Sequence, residues 1–219
     1  MPIFTQIVSD NFTPDANPLN PAHWTLPPGG FNALKALSGK CQDNGGGDGA
    51  AIYTGAVFPS DQYMQVTLNA LNVGDLIELS VRQDAAGITS DFIDLSNNGG
   101  GTMTLKVFNG DVNPAIYTNS ALSFSFGDTF RLAVLGPAIY VYHNGVLLTQ
   151  QTETTPQAGT PGIFIQGAGV NQVSQFLAGS VSASGSSGTR VGSGSEFATT
   201  INSKRTSIIG TNLGTKILN

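Results

Sequence analysis

The feature that most constrains this chain is the run from Thr129 to Gln150, in which apolar and polar residues alternate. A period of two places the apolar residues from Phe130 to Val134 on one face of a strand. Gly136-Pro137 ends that strand, and a second alternating run leads to Asn144-Gly145. Asn-Gly is the favoured pair for a two-residue turn in which both residues need positive φ. The run therefore predicts three short antiparallel strands, the last two joined by a tight hairpin.

The same alternation recurs along most of the chain before residue 183. Residues 64–68 and 77–81 each place three apolar side chains on one face, and turn signals such as Asn109-Gly110 and Gly127-Asp128 separate the strands. Many short strands divided by glycine turns are typical of a sandwich or barrel and not of a parallel α/β sheet. No segment has a convincing helical period. The sequence predicts an all-β fold.

The composition changes after residue 183, and this change predicts three parts. Residues 1–183 form the predicted β-sandwich, and residues 184–197 are rich in Gly and Ser, as in a flexible linker. The linker is either native or partly an engineered junction. Residues 198–219 are apolar and β-branched again, which predicts an extended arm. Two interpretations of the arm stay open, an assembly element that docks on a copy of the chain and a tail or tag without consequence.

The charge of the chain is unevenly distributed. Residues 1–183 contain five Lys and Arg against thirteen Asp and Glu, whereas residues 184–219 contain four against one. An acidic body repels polyanions, so we expect no nucleic-acid partner. The N-terminus lacks the basic and apolar regions of a signal peptide, and no apolar run approaches the length that spans a membrane. Cys41 is the single cysteine, and a buried inert thiol is the favoured interpretation over a nucleophile.

Four framework motifs occur in a recognisable order. They are Asp10-x-Phe12, Asn17-Pro18-Leu19 followed by Trp24, Gly127-Asp128-x-Phe130-Arg131, and Tyr142-x-Asn144-Gly145. This order resembles the lectin-like domains of the concanavalin A-like/LamG group, of the type found in phage and bacterial surface proteins, over about residues 7–182. The resemblance implies an antiparallel two-sheet β-sandwich, or jelly roll. Because the motifs are strand and turn positions, they imply a fold and not a ligand.

Catalysis is not expected from the acidic residues. Glucanases with this fold carry their acids on one strand as Glu-x-Asp-x-x-Glu, and neither Glu78, Glu153 nor Glu196 begins such a pattern. Asp91 and Asp94 are three apart, so they should point to opposite faces of a strand. The chain has no Gly-x-Ser-x-Gly elbow and only two separated histidines. We therefore expect a protein that is not an enzyme.

Five residues are candidates for binding a carbohydrate. Four of them fall on predicted outward positions of strands: Glu78, Arg82, Tyr140 and Tyr142. The fifth, Trp24, lies in the proline-rich wrap, residues 9–37, which should run irregularly around the edge of a sheet. Aromatic faces beside planar polar groups are what sugar rings require. The alternative is structural: the tyrosines pack on cross-strand neighbours, and Trp24 plugs the core. Other outward positions are Tyr63, Lys106 and Arg131.

The glycine-rich loop Cys41–Gly49 is a candidate calcium site. Asp43, Asn44 and Asp48 carry oxygen atoms of the kind that calcium binds. The loop lacks the Gly-Lys-Ser/Thr of a phosphate-binding loop and the downstream Glu of a helix-loop-helix calcium site. A plain surface loop is the favoured alternative, and no other cofactor is expected.

These observations lead to a ranked set of functions. The first hypothesis is a non-catalytic structural or surface-displayed protein, such as a phage decoration, fibre or tail component, that forms a homo-oligomer through residues 198–219. It implies a location in the virion or on an extracellular surface. The alternative is a lectin-like module that binds a cell-surface glycan. A glycoside hydrolase is the second alternative.

Overall fold

The structure, a computed structural model, describes residues 1–45, 47–86, 89–110, 114–153, 158–167 and 170–184. Residues Met1–Ser184 form one compact unit. The predicted linker and arm therefore lie outside the described residues, apart from Ser184. Self-association through residues 198–219 stays a prediction.

Every regular element of the described residues is a strand, as the alternating sequence pattern predicts. The strands are β1 (Pro2–Asp10), β2 (Trp24–Thr25), β3 (Asn32–Leu37), β4 (Lys40–Asp43), β5 (Gly49–Tyr53), β6 (Gln62–Ala70), β7 (Leu76–Gln83), β8 (Thr89–Asn97), β9 (Gly101–Asn109), β10 (Ala115–Leu122), β11 (Thr129–Leu135), β12 (Ala138–His143), β13 (Val146–Thr152), β14 (Thr160–Ile165) and β15 (Gln172–Ala183). No helix in this described part is long and apolar enough to cross a membrane.

The strands form two facing layers. The front sheet has the order β10-β9-β8-β7-β14-β5, and the back sheet has the order β15-β6-β11-β12-β13. Strands β3 and β4 connect the layers, because β3 pairs with β5 and β4 while β4 pairs with β15. Strand β1 adds to β15, and β2 adds to β5. The parallel β3–β5 pair is the exception among antiparallel pairings.

The inner faces of the two sheets share one hydrophobic core. Ile93 and Leu95 of the front sheet belong to the same buried cluster as Val66, Leu132 and Val141 of the back sheet. Each occupies alternate positions of its strand, so the period of two in the sequence is the pattern of burial. The predicted antiparallel β-sandwich is confirmed.

The hairpin at the centre of the sequence pattern forms as expected. Leu132 lies opposite Val141, and Asn144 and Gly145 have φ of 51° and 77°. The Asn144 side chain accepts a hydrogen bond from the Thr129 amide at 2.8 Å and donates one to the Asp128 carboxylate at 2.8 Å. The turn residue therefore also fixes the start of β11.

The Asn144→Ala variant tests this role. Alanine retains neither side-chain hydrogen bond and disfavours positive φ, so we expect a loss of about 1 kcal/mol in the free energy of unfolding. Urea unfolding followed by the fluorescence of Trp24, the single tryptophan, measures the change. Asn109→Ala is a control at an exposed asparagine of β9. Equal losses in both variants would contradict a special role for Asn144.

Candidate functional site

The outer face of the front sheet carries a groove, here called the sheet groove. It consists of two adjoining depressions of about 170 and 200 Å³, which share Phe31, Glu78 and Gln83. Together they reach the lower end of the usual range for ligand sites, about 300–1,000 Å³. Further lining residues are Pro27, Pro28, Ala50, Ser80, Ser90, Phe92, Phe108 and Phe164.

Aromatic rings form much of the wall of this groove. Phe31, in the loop before β3, meets Phe164 of β14 edge to face, with ring centroids 5.5 Å apart. Phe92 of β8 and Phe108 of β9 line the other side. Phe31, Phe108 and Phe164 remain partly exposed. The groove therefore offers several apolar ring surfaces to a ligand.

A small residue keeps part of the floor open. Gly162 of β14 lies opposite Ser80, and a Cβ atom added there would fall 2.7 Å from Ser80 Oγ and 2.4 Å from Gln83 Oε1. The Ser80 hydroxyl donates a hydrogen bond to Gln83 Oε1 at 2.8 Å. Glycine at this position thus leaves room for a polar pair on the floor.

Three polar side chains form a row across adjacent strands, and the first of them, Glu78, lines the groove. Glu78 of β7 lies directly opposite Asp94 of β8, and Lys106 of β9 binds Asp94, with Nζ 2.6 Å from Oδ2. The ammonium group also lies 5.6 Å from the centroid of the Phe92 ring. We call Glu78, Asp94 and Lys106 the polar row.

The polar row holds a proton at neutral pH. Burial, the negative charge of Asp94 and a hydrogen bond to Asp94 together raise the pKa of Glu78 to about 8, against the opposing effect of Lys106. Glu78 is therefore the donor of the hydrogen bond to Asp94. The ionised Asp94 is in turn balanced by Lys106.

This acidic pair corrects an expectation. The chain contains no Glu-x-Asp-x-x-Glu pattern, and no converging acids were expected, yet Glu78 and Asp94 meet across two strands. Their contact depends on the register between β7 and β8, which a pattern along one strand does not contain. The sequence signal for this pair was an acidic residue at an outward position between apolar residues, once in β7 and once in β8. The prediction that Asp91 and Asp94 face opposite ways is correct, because Asp91 points into the interior.

The prediction that Arg82 faces outward is wrong. Its side chain is completely buried, and its φ of 53° breaks the alternation that was assumed for β7. The guanidinium donates to the carbonyl oxygens of Ser60 and Gly136, each at 2.7 Å. It also lies within ion-pair distance of three carboxylates. These are Asp61 at 3.5 Å, Asp91 at 3.4 Å and Glu153 at 3.6 Å.

Trp24 also lies in the interior, as the plug interpretation predicts. It is 4% exposed and packs against Phe12, Tyr53 and Phe176. Its indole N–H donates to Asp10 Oδ2 at 2.8 Å. Trp24 and Arg82 are thus not accessible to a ligand in this structure.

Tyr140 and Tyr142 lie on the outer face of the back sheet, away from the sheet groove. The Arg131 guanidinium lies 4.3 Å from the Phe4 ring centroid and 5.9 Å from that of Tyr142. Phe4 and Tyr142 meet edge to face at 5.6 Å. Tyr142 therefore has the cross-strand packing role of the structural alternative. Of the five predicted carbohydrate-binding residues, Glu78 alone lines the sheet groove.

The predicted calcium ligands do not form a cage. Asp43 is buried, and its Oδ2 accepts hydrogen bonds from the amides of Gly45 at 2.7 Å and Gly47 at 3.3 Å. Asn44 and Asp48 are exposed. Within the described ranges, no three His, Cys, Asp or Glu side chains group as metal ligands. Calcium takes six to eight oxygen ligands, including backbone carbonyls and water, so calcium binding at this loop stays a prediction. Burial raises the pKa of the nearby Cys41 thiol, with Asp10 adding to the effect, which favours an inert thiol.

Two larger depressions, of about 440 and 340 Å³, follow the proline-rich wrap. Their tryptophan and phenylalanine side chains, Trp24 and Phe12, are buried. The described residues that line these two depressions include no member of the polar row, whereas Glu78 lines the sheet groove. We therefore regard the sheet groove as the candidate site.

The fold is shared with known carbohydrate-active proteins. Carbohydrate-binding module CBM66 from Bacillus subtilis is 13% identical, with a TM-score of 0.51 over 73% of this chain and 93% of that chain. The potassium-bound carbohydrate recognition domain of Emp46p is 11% identical, with a TM-score of 0.53 over 72% and 88%. SCLam, a non-specific endo-β-1,3(4)-glucanase from family GH16, is 9% identical, with a TM-score of 0.57 over 80% and 90%.

No protein-family model matches the chain, and no curated protein matches it. At such low identities the solved structures establish architecture and leave the activity open. The chain has the concanavalin A-like jelly-roll fold that its framework motifs resemble.

Proposed function

We propose that this protein is a non-catalytic carbohydrate-binding module and that the sheet groove is its binding site. The observation that carries the proposal is the placement of the polar row beside four phenylalanine rings. Mostly apolar walls with a few placed polar groups are typical of small-ligand sites. Carbohydrate-binding proteins among the solved structures with this fold support the same assignment.

The contact between the two acids supports binding without hydrolysis. Retaining glycosidases hold their two carboxyl groups about 5–5.5 Å apart, and inverting enzymes hold them about 6.5–9.5 Å apart, on either side of the bond that is cleaved. Glu78 and Asp94 instead share a hydrogen bond across β7 and β8, so each carboxyl is engaged by the other.

Removal of an aromatic wall tests the site. We expect Phe31→Ala and Phe108→Ala each to weaken binding to the best glycan of a polysaccharide panel about tenfold, since each removes a ring face worth about 1.4 kcal/mol. Affinity gel electrophoresis and titration calorimetry measure the loss. Tyr140→Ala tests the opposite sheet, and Phe126→Ala removes a 75% exposed ring outside the groove. Both controls should bind as the unmodified protein does.

Three outcomes would contradict the proposal. If the unmodified protein bound no polysaccharide of the panel, the proposed function would be wrong. If Tyr140→Ala lost binding while Phe31→Ala bound normally, the binding site would lie on the back sheet. Release of reducing ends from a bound polysaccharide, abolished by Glu78→Gln, would make the protein an enzyme. The structural or virion role stays a prediction, because its assembly element lies outside the described residues.

A further inference from the structure

We propose that the sheet groove selects an uncharged saccharide and excludes uronates and sulfated sugars. The inference rests on the proposed function and adds the class of ligand. It follows from the charges in and beside the groove, because Lys106, the cation of the polar row, already has an anionic partner.

The charged groups of the polar row balance each other. Asp94 is 6% exposed and contacts Lys106 at 2.6 Å, and this anion and cation balance each other. Glu78 adds no charge at neutral pH, because it retains its proton and donates a hydrogen bond to Asp94. The other elements that pack around Glu78 contribute neutral groups. These are Phe164 of β14, Ala50 of β5, Gln83 at the end of β7 itself, and Pro27, Pro28 and Phe31 of the loop before β3.

Among the described residues, none of those that line the groove is a cation. A carboxylate or sulfate that reached Lys106 would approach Asp94 as well, and Lys106 would have to divide one positive charge between two anions. A partly buried charge without a partner costs several-fold in affinity or more, and like charges suppress the wrong ligand. Arg82 cannot supply a cation for the sugar, because its guanidinium is buried between the sheets and bound to other groups.

A neutral sugar, in contrast, matches the hydrogen-bonding groups that remain. The protonated Glu78 uses its O–H in the hydrogen bond to Asp94 and keeps its carbonyl oxygen as an acceptor. Lys106 retains N–H donors beyond the one that binds Asp94, and the Gln83 side-chain oxygen accepts from Ser80, which leaves its NH₂ group as a donor. Sugar hydroxyls both donate and accept, so they satisfy such a mixed set. The phenylalanine rings cover the apolar faces of the sugar.

The test compares two panels of polysaccharides at pH 7. One contains neutral glucans, mannans and arabinoxylan, and the other contains polygalacturonate, alginate and carrageenan. We expect the unmodified protein to bind at least one neutral polymer and to bind every anionic polymer at least tenfold more weakly. Phe31→Ala should weaken the neutral binding, which assigns it to the groove.

A charge-altering variant gives the opposite result if the inference is correct. The double variant Glu78→Gln/Asp94→Asn keeps the shapes of the side chains but leaves Lys106 without its anion, so we expect at least a tenfold gain in affinity for polygalacturonate. Glu78→Gln alone keeps the Asp94–Lys106 pair and should show no such gain. Addition of Lys106→Gln to the double variant should abolish it.

The outcomes separate the two levels of the argument. Phe31-dependent binding of an anionic polymer as tight as that of a neutral one would overturn the selectivity and leave the carbohydrate-binding function intact. Failure of the double variant to gain affinity for polygalacturonate would also overturn it. Absence of binding to both panels would overturn the function and the selectivity together.

Discussion

Replacement of Arg82 by methionine is expected to lower the free energy of unfolding by about 3–5 kcal/mol at pH 7, the usual cost of breaking a buried ion pair. The side chain is completely buried among Asp61, Asp91 and Glu153, and methionine leaves these carboxylates without their shared cation. Two backbone carbonyls, of Ser60 and Gly136, lose a hydrogen bond as well. Urea unfolding monitored by Trp24 fluorescence measures the loss.

The pH dependence identifies the cause of this loss. Burial raises the pKa of Asp91 above its ordinary value of 3.8, although Glu153 and Arg82 act to lower it. Without Arg82 this pKa should rise further, so the folded state takes up protons that the unfolded state releases. The penalty of Arg82→Met should therefore be largest at pH 7 and above and should fall towards pH 4, where Asp and Glu side chains are about half protonated even in the unfolded state.

Two further variants separate the charge from the volume of the side chain. Arg82→Lys keeps the charge but not the planar fork that reaches two carbonyls and the carboxylates, so an intermediate loss is expected. The triple variant Arg82→Met/Asp91→Asn/Glu153→Gln removes the buried charges together and should recover much of the stability. An equal loss in Arg82→Met at pH 4 and pH 7 would contradict the electrostatic explanation.

The fold was predictable from the sequence because the information is local. Alternate residues such as Leu132 and Val134 report one buried face directly, and Asn144-Gly145 specifies its turn through backbone φ alone. A pattern repeated over many strands then leaves the sandwich as the natural way to bury all the apolar faces. Each of these inferences needs only neighbours in the sequence.

The site was less predictable because it depends on pairings between strands. Glu78 meets Asp94 through a register of β7 against β8, and Phe31 reaches the groove from a loop that no period describes. Arg82 shows the opposite failure, since strict alternation assigned it to the surface. A positive φ at a non-glycine residue is uncommon, and it turns this side chain inward. A charged residue at an outward position of the sequence pattern can therefore line a groove, pair on the surface or join a buried cluster. The pattern alone does not tell which.

The architecture and the polar row together favour recognition over chemistry. Concanavalin A-like sandwiches bring outward residues of adjacent strands into one row, so a carboxyl pair arises readily without a catalytic spacing. Here the pair shares a proton, its anion is bound by Lys106, and rings stand on both sides. Such a row is a rigid, neutral set of donors and acceptors. The raised pKa of the Glu78 carboxyl should therefore lower the free energy of unfolding as the pH rises.

The Glu78→Gln variant should therefore be more stable than the unmodified protein at pH 8 by roughly 2 kcal/mol, and equally stable at pH 4. The pKa of Glu78 is raised from 4.5 to about 8, so above pH 4.5 the unfolded state releases a proton that the folded state retains. The stability that this protonated carboxyl contributes is complete below pH 4.5 and is lost progressively as the pH rises to about 8. A pKa shift of this size would correspond to more than this difference, since each pKa unit is worth about 1.4 kcal/mol. The Glu78 carboxyl is partly accessible to solvent, which screens its interactions and reduces the expected difference to roughly 2 kcal/mol.

Glutamine has no proton to lose and still donates an N–H to Asp94, so it removes this pH-dependent cost without changing the contact. Urea unfolding at pH 4, 6 and 8 compares the two proteins, and Asp48→Asn provides a control at an exposed carboxylate. The difference between Glu78→Gln and the unmodified protein should grow with pH, whereas that of the control should stay small. A constant difference at all three pH values would mean that Glu78 is ionised in the folded state. The groove would then carry a negative charge, and the balance on which its selectivity for uncharged sugars depends would not hold.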